Sequence, residues 1–441
     1  MKNPELLKLG ESLVKHGQNS GADEVQISIT DYSDFDVTVR NGEIEKLQEA
    51  SSKSMSIKVI KDHKTSTASS SDFNADTLKE LVANAVKRTA YGNEDEFSGL
   101  PDLSEIKVKE EELKLYDPKI LELTPEKKIE IAKMVEDVAL KMDNRINNSY
   151  GGSFSSGHGT RYLVNSIGFS GSYSTTGCSF NVNLIAGPTD DSVQGGWYTF
   201  NRFFDKLEDI ESVAKKAVER TVRQLNPQKV KTQNVPIVFE PQQANSILGF
   251  LYQCINGDSV YQGRTFLAEK LNEKIANSNV NIIDNGLMPG LSGSKPFDGE
   301  GVPAQKTDVI QNGTLKSFLL DTYSARKLKM KSTGNGSGPN NFYLENGNKT
   351  PDEIIKSVNK GLYLTMTMGQ GTNPMTGDIS KGAAGLWIEN GKIVYPVAEI
   401  TISGNLGEIL QNIEMTGNDL EFRGGINSPT IKVTGITVGG K

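Results

Sequence analysis

The sequence predicts an α+β protein: a duplicated helix–antiparallel sheet–helix N-terminal region followed by a β-rich C-terminal domain. Three observations predict it. Amphipathic helices expected at 3–18 and 125–142 each open a run of β-forming segments that a further helix closes, at 75–89 and 208–225. Between the two runs, NGEIEKLQEASSKSMSIKVI at 41–60 parallels NSIGFSGSYSTTGCSFNVNLI at 165–185, and AVKRT at 85–89 parallels AVERT at 217–221. Such local correspondence marks an internal duplication. Finally, Asn41-Gly42, Asn312-Gly313 and Asn390-Gly391 stand between strand-like flanks, the pattern of two-residue turns in antiparallel hairpins.

In the first unit, Leu6, Leu7, Leu9, Leu13 and Val14 recur at helical spacing until His16-Gly17. Strands are expected at 24–30, 35–39, 43–47 and 54–60, so that the order is α-β-β-β-β-α. Residues 92–123 carry GNEDE, Pro101, KEEE and Pro118 with little apolar periodicity, and read as a linker or a wrapping arm. The second unit has strand-like segments at 147–155, 160–165, 168–174 and 179–185. Two such half-sheets can pack into one composite layer. Asn226-Pro227 marks the next boundary, giving domains at 1–105, 106–226 (linker plus second unit) and 227–441.

The C-terminal domain begins with a strand at 235–240 that leads into PQQANSILGFLYQCINGD at 241–258. Pro241 suits a first helical turn, Ile247, Leu248, Leu251 and Ile255 form one apolar face, and Asn256-Gly257-Asp258 supplies the stop. A second helix is expected at 264–275 and a strand at 279–284, followed by a glycine-punctuated loop at 287–301. KSTGNGSGPNN at 331–341 reads as a mobile lid or partner-docking loop, because Gly and Ser contribute little to a core.

Composition limits the functional classes. A chain of 441 residues holds two or three domains. No apolar run approaches the ~18 residues of a membrane-crossing helix, and the first residues form an amphipathic helix, not a signal segment. Cys178 and Cys254, far apart, make no disulfide framework, so a cytoplasmic setting is expected. The net charge of −7 argues against direct nucleic-acid binding. The cluster Arg326, Lys327, Lys329 and Lys331 reads as a solvated helix end or a patch guiding a partner.

Few side chains suggest catalysis. The three histidines, His16, His63 and His158, all lie in the first half. His158, in SSGHGT, reads as a loop histidine: no third group orients it toward Cys178 or a serine. Cys254 reads as a packing thiol. GQGTNPMTGD at 369–378 lacks the Gly-Lys-Ser/Thr ending of a phosphate loop and reads as a turn. Asp258, Asp298 and Glu300 form at most a scattered oxygen site for a hard cation.

The helix at 241–258, FDGEGVPAQKT at 297–307, VIQNGTLKSFLLDTYSARKL at 309–328, TMGQGTNPMTGDISKGAAGLWIENGKIVYPVAEITISGNL at 367–406 and the terminal PTIKVTGITVGG resemble the PmbA/TldD family. Its members were once described as modulators of DNA gyrase and are understood as metallopeptidases. The resemblance spans essentially the whole chain. It implies that the helix corresponding to 241–258 carries His-Glu-x-x-x-His in catalytic TldD-type members, and those positions fall here on Leu248, Gly249 and Gln253. The family's remaining zinc ligand, a cysteine, would fall near 424–427, in EFRGGINSP. A catalytic zinc takes three ligands from His, Cys, Asp or Glu and keeps one position open. Leucine and glycine offer no side-chain ligand, and a carboxamide substitutes poorly for imidazole.

The resemblance therefore points to the PmbA/TldE branch, with a degenerate zinc helix, no catalytic residues, no metal and no cofactor. Zinc is expected only in a TldD-type partner. The implied partners are a TldD-like paralogue or a second copy in a dimer, with an unfolded peptide as substrate, and neither nucleic acid nor membrane. The resemblance also places Gly369, Gln370, Ser380, Lys381 and Gly382 near the cleft of the catalytic relatives, as candidate peptide-binding residues. Two alternatives stand beside this reading: an independent metallopeptidase with an unrecognised metal site, and a gyrase-associated interaction protein without enzymatic role.

Overall fold

Two helix-bounded β-units build a single sheet in the N-terminal half. In this computed structural model, which describes residues 2–102 and 109–440, the chain begins with α1 (Pro4–Asn19), β1 (Glu24–Arg40), β2 (Glu43–Lys61), β3 (Lys64–Ser70) and α2 (Ala75–Arg88). One-turn helices α3 (Glu110–Leu113) and α4 (Lys119–Glu122) follow, then α5 (Pro125–Met142), β4 (Ile146–Asn165), β5 (Ser170–Ala186), β6 (Val193–Asn201) and α6 (Ile210–Val222). The expected boundary between 105 and 106 lies outside the described residues.

The helices start where capping chemistry allows. The side chains of Asn3, Asn74, Thr124 and Asp209 accept the orphan N–H groups of the first turns of α1, α2, α5 and α6. Pro4 and Pro125 occupy opening positions where a missing N–H costs nothing.

The sheet order is β3-β2-β1-β4-β5-β6, antiparallel throughout. β1 and β4 form the central pair, and β2 and β5, which carry the matched segments, flank it symmetrically. The duplication is thus visible in the topology as one composite sheet.

Each unit has three strands, not four. The segments at 24–30 and 35–39 belong to β1, those at 43–47 and 54–60 to β2, and the second unit's four fragments to β4 and β5. The polar stretches read as breaks lie in mid-strand, where ladders on both sides satisfy the backbone. SSGHGT is the clearest correction: His158 sits within β4, opposite Ser33 and Thr176. Its neighbour Gly157 is required by close approach, since a Cβ there would fall 2.0 Å from the Tyr32 hydroxyl. The Ser/Thr-rich β3 and the outer β6 escaped the sequence reading altogether.

Alternation along the strands gives the sheet two different faces. On one, α1 and α2 bury Leu13, Val25, Ile27, Met55, Ile57 and Val82, while α5 and α6 bury Val135, Phe154, Phe180, Val182 and Val213. On the other, Leu163, Phe169 and Tyr173 pack with Phe297 of the C-terminal half and with Leu113 and Leu115. The Phe297 ring meets Phe169 and Tyr173 edge-on, with centroids 5.0 and 5.1 Å away. Residues 109–123 therefore wrap the sheet.

The C-terminal half opens with β7 (Gln233–Asn234), β8 (Ile237–Phe239) and α7 (Pro241–Ile255). β8 belongs to a nine-stranded sheet with Lys360–Met368, Asp378–Glu389 and Lys392–Asn405. A five-stranded sheet includes Ile282–Asn285, Lys306–Gln311 and Phe342–Leu344. α7 packs on strands of both sheets, its Ile247, Leu248, Leu251 and Ile255 entering a core shared with Phe239, Leu364 and Phe342. At the Asn-Gly turns, Asn41, Asn312 and Asn390 have φ of 51°, 48° and 50°, and the following glycines are also left-handed, as primed hairpin turns require.

The helix expected at 264–275 is a series of turns. Phe266, Leu267, Leu271 and Ile275 are apolar at helix-like spacing, but competing backbone partners hold the segment open. The Asn272 N–H donates to the Leu315 carbonyl at 2.7 Å, that of Ile275 to Gly313 at 2.9 Å and that of Phe266 to Pro374 at 3.0 Å. Asn272 itself is left-handed, with φ 65°.

An ion-pair cluster joins the duplicated sheet to α7. Glu240, the residue before α7 and only 2% exposed, accepts from Arg220 Nη2 at 2.5 Å, Arg220 Nη1 at 3.0 Å and Arg223 Nη2 at 2.9 Å. Removing one partner of a buried ion pair strands the other charge and costs roughly 3–5 kcal/mol. Because both arginines are partly solvated, Glu240→Ala is expected to cost about 3 kcal/mol in urea denaturation. A loss below about 1 kcal/mol would show that the cluster contributes little.

Candidate functional site

α7 and the segment facing it contain the positions singled out for metal chemistry. Leu248 is 2% exposed and faces the core. Gly249 and Gln253, one helical turn apart, lie away from that core, and Gln253 is exposed. A Cβ on Gly249 would meet only Ile426 Cδ1, at 3.9 Å. Ile426 belongs to the short strand Ile426–Asn427, which pairs in parallel with Phe342–Leu344. The fold therefore brings Gly249 to the 424–427 segment, as the resemblance implies, but turns Leu248 elsewhere.

Chemistry around this contact is apolar and inert. Tyr252 packs edge-on against Phe342 with centroids 6.3 Å apart, and burial pushes its hydroxyl up to about 12. Burial likewise pushes the Cys254 thiol up to about 11 and that of Cys178 to about 12. His158 lies in β4, and burial pushes its imidazole below the ordinary value.

Among the described residues, no three His, Cys, Asp or Glu side chains assemble into a group able to hold a metal ion. Asp258 is exposed. Asp298 and Glu300 have carboxylates occupied by the backbone. Asp298 accepts the N–H groups of Glu300, Val302 and Gly336 at 2.9, 3.0 and 2.7 Å, and Glu300 accepts that of Thr322 at 2.8 Å.

The acidic residue that matters most here was missed by the sequence reading. Asp284, fully buried in the strand Ile282–Asn285, accepts the Asn340 N–H at 2.8 Å, the Asn335 amide at 2.8 Å and the Asn340 amide at 2.7 Å. Desolvation pushes its carboxyl above the usual range, against these hydrogen bonds. This corrects the expectation of a mobile lid: the loop at 331–341 is fastened through buried Thr333, Asn335, Asn340 and Asn341. A lone Asp in the apolar strand sequence NIIDN, set against an Asn-rich loop, was the available signal.

Gly369, Gln370, Ser380, Lys381 and Gly382 come together at the end of the hairpin between Lys360–Met368 and Asp378–Glu389, where Met368 pairs with Gly382. Gly369, Gln370 and Ser380 are exposed, as are Met368 and Met375. The basic cluster divides. Arg326 donates to the Phe97 and Leu100 carbonyls and Lys327 lies 4.2 Å from the Phe97 ring centroid, so both fasten residues 95–100. Lys331 is exposed.

A duplicated helix–sheet–helix region and a two-sheet C-terminal half around one apolar helix define an α+β architecture. Models of the PmbA/TldA metallopeptidases match domain 1 at residues 25–89, the central domain at 118–225 and the C-terminal domain at 232–440. The chain is 35% identical over 426 residues to Metalloprotease PmbA of Escherichia coli O157:H7, covering 96% of this chain and 93% of that protein. A Bacteroides thetaiotaomicron crystal structure, which carries the provisional name of a DNA gyrase modulator, superposes with a TM-score of 0.94 at 30% identity, covering 100% of both chains. TldE from Thermococcus kodakarensis shares the fold, with a TM-score of 0.87 at 23% identity over 98% of this chain and 100% of its own. The chain belongs to the PmbA/TldD family.

Two outcomes follow from the packing. Because the thiolate is the reactive species, native Cys178 and Cys254 are expected to alkylate with iodoacetamide near pH 8 at least roughly a hundredfold more slowly than in the urea-unfolded chain; fast native labelling of Cys254 would contradict the packing of α7. Asp284→Asn leaves one of the loop's donors facing an amide, at a cost of about 1–3 kcal/mol. Hydrogen–deuterium exchange should accelerate across 331–341 and remain unchanged in β1 and β4, whereas unchanged loop exchange would show that another group fastens it.

Proposed function

We propose that this chain is a non-catalytic, metal-free, PmbA/TldE-like subunit of a TldD/PmbA-type metallopeptidase complex that degrades unfolded peptides. One observation carries the reading, which takes α7 as a degenerate zinc helix: it offers aliphatic carbon at Leu248, bare backbone at Gly249 and a carboxamide at Gln253, with Ile426 alongside. These residues do not fit zinc, which takes imidazole, thiolate or carboxylate ligands, and none of the three can act as a water-activating base. The chain accordingly needs no cofactor of its own, and zinc belongs to a TldD-like partner.

In such a complex the chain forms part of an enclosure and presents backbone to partner and peptide. β3 pairs with β2 only from Met55 onward, so the outer edge of β2 before it has no strand partner among the described residues. That edge carries exposed Ile44 and Leu47. An unpaired edge receives another extended chain through main-chain hydrogen bonds. The hairpin end at Gly369, Gln370, Ser380, Lys381 and Gly382, whose strands are already paired, is a second candidate surface for peptide through its exposed Gly369, Gln370 and Ser380. The partner is a TldD-like paralogue or a second copy of this chain. Among the described residues no helix is long and apolar enough to cross a membrane, and the proposed setting is the cytoplasm.

A second reading, an independent metallopeptidase, is favoured by the name of the E. coli relative. The gyrase-modulator name of the Bacteroides structure favours an interaction protein instead. Co-expression with a paralogue bearing His-Glu-x-x-x-His separates the three. The proposed subunit copurifies with it, holds no stoichiometric zinc when purified alone, and is required for hydrolysis of an unfolded peptide. Full activity from the paralogue alone would remove the proposed role, and zinc-dependent activity from this chain alone would establish the second reading.

A further inference from the structure

A cavity of about 530 Å³ lies where β4, β5 and the residue following β6 meet three loops of the C-terminal half. Among the described residues its wall contains Arg161, Arg202, Lys295 and Arg423 and no Asp or Glu. In a chain of net charge −7 this is a local reversal of sign.

The four cations differ in what balances them. Arg423 is paired with Glu208 and Glu421, at 2.9 and 2.6 Å. Arg202, 7% exposed, is fixed by backbone carbonyls alone, those of Leu291, Ser292 and Thr176 at 2.9, 2.7 and 3.3 Å. Among the described residues Arg161 and Lys295 have neither an ion pair nor a side-chain hydrogen bond. The acidic groups that act on Lys295 are Asp284 and Asp298, whose oxygens are already occupied by Asn335, Asn340 and the backbone. Positive charge therefore converges on the hollow with no carboxylate among the described residues of its wall. Asn340 adds a second feature: its buried Oδ1 has no hydrogen-bond partner. It lies 3.1 Å from where a Cβ on Gly286 would stand, shielded from solvent. Gly424 and Gly425 close the wall beside Ile426, which adjoins α7.

We propose that this cavity is a carboxylate-binding subsite for acidic peptide segments. A peptide Asp or Glu side chain, or a C-terminal carboxylate, seats against Arg161 and Lys295 through charge-assisted hydrogen bonds, and Arg202 holds the opposite wall. A peptide carboxylate supplies the anion that Arg161 and Lys295 lack. The proposal deepens the peptide-handling reading above and rests on it.

Fluorescence anisotropy with labelled unfolded peptides tests it on the full chain. The probes are a Glu/Asp-containing peptide with an amidated C-terminus, its Gln/Asn counterpart, and a neutral peptide with a free C-terminal carboxylate. Inorganic phosphate serves as competitor. Preferential binding of the first or third probe identifies which carboxylate is read. The favoured peptide is expected to bind about tenfold more tightly than the amidated Gln/Asn control, more weakly as salt rises. Arg161→Gln, at an exposed side chain, and Lys295→Gln are each expected to erase most of that difference, whereas the remote Lys87→Gln leaves it intact. Equal binding of acidic and amide peptides, or full preference in both cavity variants, overturns the proposal. So does phosphate binding in the cavity without peptide preference. If the chain still supports a zinc-bearing paralogue, only the subsite fails; if it neither binds peptide nor supports the paralogue, the subunit reading fails too.

Discussion

The geometry between the two halves depends on a carboxylate that is costly to bury. Glu240 ends the segment entering α7 and is held by Arg220 of α6 and by Arg223, which follows that helix. Removing such a charge from water is tolerable only when hydrogen bonds occupy its oxygens, and three guanidinium contacts do so here. Its position at the N-terminal end of a fifteen-residue helix adds the favourable interaction of an anion with the helix dipole. Trp197 of β6 completes the junction: the Arg220 and Arg423 guanidinium carbons lie 4.9 and 4.6 Å from its ring centroid. Arg423 also donates to the Tyr198 carbonyl at 3.0 Å. One cluster thereby fixes the start of α7 and the approach to Gly424, and so both the contact at Gly249 and one wall of the cationic cavity.

The duplicated sheet explains why there is a hollow to wall. Its helix-covered face is continuous, because each unit brings its own pair of helices. The opposite face has no such provision. It is apolar only around Leu163, Phe169 and Tyr173, where Phe297 and the arm residues Leu113 and Leu115 cover it. Next to that patch, Arg161 stands beside Tyr173 in the β4–β5 register and cannot join a dry core. The C-terminal loops consequently meet the sheet firmly at one place and stand off beside it, with Asp284 and its asparagine partners holding the loop at 331–341 at the proper distance.

Legibility in the sequence followed the range of the determining interactions. Local chemistry was readable: Thr124 and Pro125 start α5 at the expected residue, and Asn-Gly makes each of the three marked turns. The duplication was readable because matched segments reappear in topologically equivalent strands. What failed depended on distant partners. A Ser/Gly/His stretch continues as strand because β1 and β5 flank it, and a helix-like apolar pattern at 264–275 yields to carbonyls of residues 313, 315 and 374. The fastening of 331–341 to Asp284 joins side chains more than fifty positions apart in sequence, which composition cannot convey. At the candidate site the residue types along α7 were legible, but the orientation of each position was not.

That orientation changes what the missing ligands mean. Leu248 is not a metal ligand replaced at a cleft surface; its side chain is part of the core between the two C-terminal sheets. A polar group there would lose hydration without gaining a partner, so the local packing opposes a histidine independently of what surrounds it. Gly249 is different. Space above it is open as far as Ile426, and Gln253 on the same side is already solvated. The positions along α7 therefore differ physically, Leu248 being committed to the hydrocarbon core and Gly249 being a surface position without a side chain. Adjacent helix positions point about 100° apart, so a polar residue at 248 enters the core while one at 249 or 253 meets the open side.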